Sequence, residues 1–444
     1  MKGAFTPMQD VYTFVPYSGY PQQLPTASGH PLTVVIDACN PSSFRKLWGM
    51  TLLERNLRLV ERLGATNIHV LVLPNDEKQA IKRRFPATTR PEFHVISGKA
   101  FDTIWKIIDL SKGPVLAIEG MGLYDRRIIA LLWQTAAPAV GTHRGQALAA
   151  STVMIPQSFK ADRKNCTSWQ ELSKHCLQHP DSTKIDLESV ENRVSLLRKS
   201  VRPKVFRISD TETLRNADRY LRDLAGKGIN DFMGEFVHPP IEFFLTRMAS
   251  YTPITPNQIS YFVLLLSIAG LYYFGTGQYW IGIAVNLVRG VIDGVDGKLA
   301  RLTMRESENG NVLDHGTDTA YLPLLFLALG YSLSGENFLS GTAITVYVLQ
   351  ICYWFNRVFA SWFRTFLGAD ESEFRPLDRL VRRFQPKRNN FILIMIIALL
   401  FETPEAGLYG ITGLTVFFML YRVGRLDQEG RALSKKRTLA KSEA

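Results

Sequence analysis

Residues 291–320 read VIDGVDGKLARLTMRESENGNVLDHGTDTA, and they place four aspartates inside a part of the chain that is otherwise apolar. Directly before them, from Asn257 to Val288, there is no charged residue at all. An ionisable side chain at membrane depth costs several kcal/mol, so four together mark a functional site. Asp293 and Asp296 are spaced i,i+3 and Asp314 and Asp318 i,i+4, which sets each pair on one face of its own helix. Residues 302–309 are able to turn the chain so that the two helices run antiparallel and the four carboxylates converge. Like charges at close range require a cation or a proton. With only oxygen ligands near, the cation expected is Mg²⁺ or Mn²⁺, and a pair of such ions bridged by carboxylates forms a clamp suited to displacement at phosphorus. Gly294, Gly297 and Ala300 leave the helix surface beside the acids bare, with room for a base and a diphosphate.

Working outward, the apolar run from Asn257 is interrupted at Gly275, Thr276, Gly277 and Gln278, which predicts two spans joined by a tight turn. Further spans are predicted at 311–333, 341–363, 389–402 and 405–422, six in all. The turns at 275–278, 334–340 and 402–406 contain no Lys or Arg. The opposite side carries Arg301, Arg305, Arg364, Arg375, Arg379, Arg382, Arg383, Lys387 and Arg388, and then Arg422, Arg425, Arg431, Lys435, Lys436 and Arg437. By the positive-inside rule this side is cytosolic, together with both ends of the chain. Topology and anionic headgroups therefore account for much of the net charge of +12 that 52 Lys+Arg and 40 Asp+Glu produce. No nucleic-acid recognition motif is present, and no nucleic-acid partner is expected. Residues 229–250 set Phe232, Met233, Phe236, Ile241, Phe244, Leu245 and Met248 against polar neighbours and predict an interfacial helix interrupted at Pro239 and Pro240.

The front of the chain is different. PLTVVIDACN (31–40) is an apolar run of strand length, LLERNLRLVERLGA has helical period, and NIHVLVLP is again strand-like, a βαβ opening. GPVLAIEGMGLYDRRIIALLW repeats the theme, and Asp210 or Thr211 is placed to cap a following helix. The expected class is multidomain: a soluble α/β domain at 31–228, an interfacial segment at 229–256, an all-α six-helix transmembrane domain at 257–424 and a basic cytosolic tail at 425–444. Residues 1–30 read as a Pro/Gly/Tyr-rich flexible tail with no apolar core behind a basic start, so no secretory signal is expected. Four scattered cysteines exclude a disulfide scaffold and fit a reducing compartment.

Asp293, Asp296, Gly297, Ala300, Arg301, Gly310, Asp314 and Asp318 reproduce the pattern D-x2-D-G-x2-A-R-x8-G-x3-D-x3-D, and the membrane body thereby resembles the CDP-alcohol phosphotransferases. The resemblance implies an integral membrane transferase in phospholipid biosynthesis. In it an alcohol attacks the phosphate of a CDP-alcohol, CDP-diacylglycerol being the expected donor, and expels CMP. It also implies a homodimer. Asp293, Asp296 and Asp314 match metal ligands, and Asp318 matches a metal-near residue that serves as base for the acceptor hydroxyl. Gly297, Ala300, Arg301 and Gly310 match the CDP side, with Thr255 and Asn257 as neighbours of the nucleotide. Arg388, at the mouth of the fifth span, is a candidate for an acceptor phosphate or a positive-inside anchor. In relatives the basic residue there is often followed by an acid, and here Asn389 follows. Arg357, alone in the fourth span, is a second acceptor candidate.

The front domain resembles the sugar-type cytidylyltransferases that precede such membrane domains in bifunctional inositol-phosphate enzymes. An active one needs a glycine-rich loop after its first strand, whereas IDACNPSSFRKL contains no glycine, and Pro41 removes an amide. Glu119 and Asp210 stand roughly where metal-binding acids are expected, with strand-end and helix-cap roles as the alternative, and Arg45 or Lys46 could replace the loop's cation. A nucleotidyltransferase-like domain without catalysis is expected. Two other readings of the chain stay open: synthesis of a soluble inositol phosphodiester from a CDP-polyol, and a cation or proton transporter using the intramembrane carboxylates.

Overall fold

The computed structural model describes residues 33–74, 91–96, 99–135, 138–156, 159, 166–194, 199–226, 228, 231–335, 337–367 and 375–442. The expected tail 1–30 lies outside the described residues, as do the side chains of Asp314, Arg364, Lys435, Lys436 and Arg437.

In the front domain, β1 (Thr33–Asp37) has residues 33–36 fully buried because it is covered on both faces. Helix α1 (Leu52–Arg62) starts where Thr51 accepts from the Glu54 amide at 3.1 Å. It is followed by β2 (Asn67–Val72), β3 (Glu92–Val95), α2 (Ala100–Leu110), β4 (Val115–Glu119), β5 (Gly122–Tyr124), α3 (Arg126–Gln134), β6 (Ala139–His143), β7 (Thr152–Ile155), α4 (Trp169–Gln178), β8 (Thr183–Asp186), β9 (Val205–Arg207) and α5 (Thr211–Ala225). The main sheet runs β8-β6-β7-β4-β1-β2-β3. Along this path all neighbours are parallel except β7, which is antiparallel to β4 and to β6; off the path, the short strand Gln146–Ala147 is also antiparallel to β6. One face packs Leu53, Leu57 and Val60 of α1 with Ile128, Ile129 and Leu132 of α3. The other packs Ile104, Trp105 and Ile108 of α2 with Leu172 and Cys176 of α4. This is the expected α/β layering.

Beyond it, a π-turn at Met233–Val237 runs straight into α6 (His238–Ser250). The interruption expected at Pro239 and Pro240 does not occur. Both prolines fall in the first turn of α6, where the chain passes from the wider π-turn to α geometry without leaving the helix.

The expected spans correspond to α7 (Pro256–Gly275), α8 (Tyr279–Leu302), α9 (Glu308–Ser334), α10 (Gly341–Leu367), α12 (Arg388–Leu400) and α13 (Pro404–Ser442), with a short α11 (Pro376–Arg383) between. Two of them, Pro256–Gly275 and the first part of α13 to Ala432, are long and apolar enough to cross a membrane, and Arg388–Leu400 is apolar but shorter. The last helix does not stop near 422 but continues to Ser442, supported by an Asp427–Arg431 pair at 3.0 Å one turn apart. Phe274, Phe326, Leu329, Tyr353, Phe391, Met395 and Leu408 form the core of this helical region.

The two regions share a core. Trp48, at the tip of a hairpin with φ 53°, lies between the guanidinium groups of Arg222 (5.5 Å) and Arg247 (5.3 Å), with Phe243 at 6.3 Å. Gly49, at φ +72°, has no room for a side chain, because a Cβ would collide with the Ser250 carbonyl at the end of α6. Arg55 donates to the Leu302 carbonyl at 2.6 Å, Arg58 to that of Thr303 at 2.8 Å, and Arg62 pairs with Glu306 at 2.5 Å. Helix α1 thus grips the loop that joins the two aspartate helices.

Candidate active site

Helices α8 and α9 both pack on α7, and Asp293 and Asp318 of these helices approach one guanidinium, although Asp293, Asp296 and Asp318 do not close into a group of ligand atoms within 4.8 Å of one another. Arg388, at the first residue of α12, lies 3.4 Å from Asp293 Oδ2 and 3.9 Å from Asp318 Oδ1. One guanidinium thus bridges the two helices through their carboxylates. Asp318 is half-exposed, whereas Asp293 keeps only 18% of its side chain accessible. Asp296, one turn beyond Asp293, is buried; its Oδ2 accepts from Ser260 Oγ at 2.6 Å and its Oδ1 from the Gly297 amide at 2.5 Å. Asp314 is helical, and its side chain lies outside the described residues. The donor set Asp293, Asp296 and Asp318 is all carboxylate oxygen, which fits a hard divalent cation.

Arg388 is mostly buried and contacts two of the aspartates. Asn389 donates to buried Asp231 at 2.7 Å, and Lys387 lies 3.7 Å from the same carboxylate. A buried carboxylate, that of Asp231, thus stands beside Asn389 from 158 residues earlier in the chain. Arg357 is exposed on α10 and donates to Thr319 Oγ1 at 2.8 Å, next to Asp318.

The surface expected to be bare beside the acids is partly filled. The Glu242 carboxylate of α6 lies directly against Gly294, where it pairs with buried Lys298, and His238 Nδ1 is 3.8 Å from it. A side chain at Gly294 would displace that carboxylate. A Cβ at Gly297 would lie 3.1 Å from the Arg301 guanidinium, which folds back along its own helix and would have to shift by a few tenths of an ångström. Arg301 Nε donates to the Ala225 carbonyl at the end of α5, 2.8 Å away, and so the expected CDP ligand also ties the helical region to the front domain. Ala300, half-buried on the same helix, gives its carbonyl to the Arg305 amide at 2.9 Å. Gly310 lets Asn257 approach: a Cβ there would lie 2.6 Å from Asn257 Oδ1, which accepts from Ser307 Oγ at 3.2 Å. Thr255 caps α7 in a reciprocal pair with Gln258.

Sequence reasoning passed over Arg289, Glu242, Lys298 and Ser260. Arg289 is wholly buried, with Nε on Ser267 Oγ (2.6 Å), Nη2 on Asp318 Oδ1 (3.1 Å) and its plane 4.2 Å from the Tyr321 ring centroid. A lone cation ending the charge-free run from Met248 to Val288, one turn before Asp293, was the available signal.

In the front domain the acids take their strand-end and cap roles. Glu119 is buried, accepts from the Ser151 amide (2.8 Å) and pairs with Arg207 (2.9 Å), while Asp210 caps α5 through the Thr213 amide (2.8 Å). After β1 the amides are already used: Ala38 donates to the Leu71 carbonyl, Cys39 to Asp37 Oδ1, Ser42 to Asn40 Oδ1, Ser43 to the Asn40 carbonyl and Arg45 to the Ser42 carbonyl. Burial, then the neighbouring Asp37, pushes the Cys39 thiol up to about 12, so it stays protonated.

Residues 253–422 match the model of the CDP-alcohol phosphatidyltransferase family. The chain is 30% identical over 131 residues to the human ethanolaminephosphotransferase 1, covering 25% of this chain and 32% of that protein. It is also 30% identical over 131 residues to the bifunctional IPC transferase and DIPP synthase of Aquifex aeolicus, 28% of this chain and 29% of that one. The match thus spans about a third of the length of these relatives. Among solved structures, the Mycobacterium tuberculosis phosphatidylinositol phosphate synthase with CDP-DAG bound aligns at TM-score 0.33 and 17% identity over 43% of this chain and 93% of that one. The inositol-1-phosphate CTP transferase of T. maritima aligns at TM-score 0.32 and 9% identity over 45% and 95%. The region that matches the CDP-alcohol phosphatidyltransferase family, residues 253–422, carries every signature aspartate and is joined in this chain to an α/β domain.

Proposed function

We propose that the chain transfers the phospho-alcohol group of a CDP-alcohol, CDP-diacylglycerol foremost, to a small polar alcohol and releases CMP. The observation that carries this reading is the meeting of Asp293 and Asp318 on one guanidinium, at the spacings of the family signature. A divalent cation, or a pair of them, held by Asp293, Asp296, Asp314 and Asp318 would neutralise the diphosphate. Half-exposed Asp318 accepts the proton of the acceptor hydroxyl as its oxygen bonds to the phosphorus bearing the donor alcohol, and the P–O bond to CMP breaks with its electron pair on CMP. Arg289 holds the Asp318 carboxylate in place, and Ser260 does the same for Asp296. With a cation held by the carboxylates, Arg388 would be released from them and could bind an acceptor phosphate, and Gly297, Ala300, Arg301, Gly310, Thr255 and Asn257 line the nucleotide side. An open groove bordered by Val312, Gly316, Ala320, Pro323, Leu324 and Trp354 runs beside Thr319, and its apolar walls suit an acyl chain.

In the same reading six helices span the bilayer, the α/β domain (31–228) and the tail (425–444) face the cytosol, the segment 229–256 lies at the interface, and the enzyme works as a homodimer. The test is CMP release by the purified protein in Mg²⁺ or Mn²⁺ with CDP-diacylglycerol, CDP-ethanolamine or CDP-inositol and a panel of acceptors, with products identified by mass spectrometry. No CMP from any donor sinks the reading and leaves a transporter. A soluble phosphodiester as the sole product replaces the lipid donor by a CDP-polyol.

The α/β domain serves as a cap without nucleotidyl transfer, because the amides after β1 that would meet a triphosphate are bonded internally and Pro41 has none. Pyrophosphate release from CTP and a sugar or inositol phosphate would overturn this.

A further inference from the structure

Strands β2 and β3 are adjacent and parallel, and β3 is the last strand of the sheet. His69 stands beside Glu92 in the register, and His94 follows Glu92 by two residues, so all three side chains leave the same face of the sheet. They converge. His69 Nδ1 lies 3.0 Å from His94 Nε2 and 3.2 Å from Glu92 Oε2, and His94 Nε2 lies 4.0 Å from the same carboxylate oxygen. These three atoms lie within 4.8 Å of one another, the only such group of His, Cys, Asp and Glu among the described residues.

Hydrogen bonding alone serves this arrangement poorly. Both His94 Nε2 and the Glu92 carboxylate approach the single atom Nδ1 of His69, and one N–H there can point at only one of them. A cation in the shared space satisfies all three at once. For ligand bonds of about 2.0–2.1 Å in tetrahedral array, ligand atoms sit about 3.3 Å apart. The observed 3.0, 3.2 and 4.0 Å bracket that separation, so little movement is needed.

We propose that His69, Glu92 and His94 form a site for a transition-metal ion of the Zn²⁺ class, separate from the aspartates of the membrane body. Two imidazoles and one carboxylate favour zinc over magnesium, which takes oxygen ligands and keeps its waters. Three protein ligands leave one position for water or an exogenous donor. The ion ties the edge strand β3 to β2. The site is independent of the transferase reading, since none of its residues lies in 253–422.

The test uses the full chain, purified in detergent without a polyhistidine tag, stripped with chelator, incubated with equimolar Zn²⁺ and dialysed against excess Mg²⁺ before elemental analysis. One equivalent of zinc is expected to remain. Co²⁺ in its place should give the intense visible absorption of a low-coordinate site. Glu92→Gln, which keeps the size of the side chain, and His94→Ala should each weaken zinc binding by about 100-fold or more while the protein stays folded by circular dichroism. Zinc lost from the wild type on dialysis overturns the proposal. So does zinc retained equally by wild type and both variants, which would place it on other ligands.

Discussion

Arg289 donates to Asp318 across 3.1 Å from a position with no solvent exposure, and its Nη1 has no acceptor among the described residues. The rest of the guanidinium is fixed by Ser267 and by the face of Tyr321, so it holds the carboxylate from one side only. Misplacing a reacting group costs about 100-fold in rate. Arg289→Lys keeps the charge without the fork, and is expected to lower kcat by about 100-fold with KM for the CDP-alcohol little changed. Unaltered kcat in a folded Lys variant would show that Asp318 needs no such support.

Replacing Asp293 or Asp296 by Ala, or Asp318 by Asn, should each reduce CMP release more than about 100-fold, because charge neutralisation and positioning go together. Near-normal turnover in any of the three, measured at saturating Mg²⁺, would remove that residue from the site.

Arg388 competes with cations for Asp293 and Asp318. Arg388→Gln should therefore lower the Mg²⁺ concentration giving half-maximal activity, while raising KM for a phosphorylated acceptor about 10-fold or more through loss of a charge-assisted bond. An unchanged Mg²⁺ requirement would mean that the guanidinium does not occupy the cation's place.

Arg55 reaches from α1 to the Leu302 carbonyl, and burial, then repulsion from Arg58, pushes its pKa down to about 10, so it remains charged at neutral pH. Arg55→Ala should loosen the clamp on the 302–306 loop at a cost of about 1.5–3 kcal/mol. Faster proteolysis between the α/β domain and α8, with kcat reduced, is the expected outcome. Unchanged cleavage and rate would make the contact incidental.

Asp125 is buried between Arg127, which forks onto both carboxylate oxygens at 2.9 and 2.7 Å, and the hydroxyl of Tyr220. Burial works to raise its pKa, and the Arg127 bonds and charge more than offset this, so the carboxyl lies below its ordinary range. Its stabilisation is therefore fully present above the unfolded value of about 3.9 and fades as pH falls from there through the lower folded value. Thermal melts of the α/β domain should show a loss of stability below about pH 4 that Asp125→Asn abolishes, at a cost of about 3–5 kcal/mol near neutrality. A variant with the wild-type acid profile would assign the loss to other groups.

The βαβ opening, the cap at Asp210 and the helix pairs that carry the aspartates were legible because they rest on periods of two and 3.6 and on caps a few residues apart. Pro239 and Pro240 misled, since a proline's effect depends on which turn it enters. The signature aspartates and glycines, too, are properties of local spacing, and they were enough to point to the family whose model residues 253–422 match. Only the tertiary structure decided what meets them: Arg289 and Arg388 on Asp318, Glu242 over Gly294, Arg301 on Ala225 and Asp231 beneath Asn389. Most of these partners lie tens to more than a hundred residues apart in the chain. A charge-neutralising partner has to satisfy only distance and burial, conditions that leave no period in the sequence.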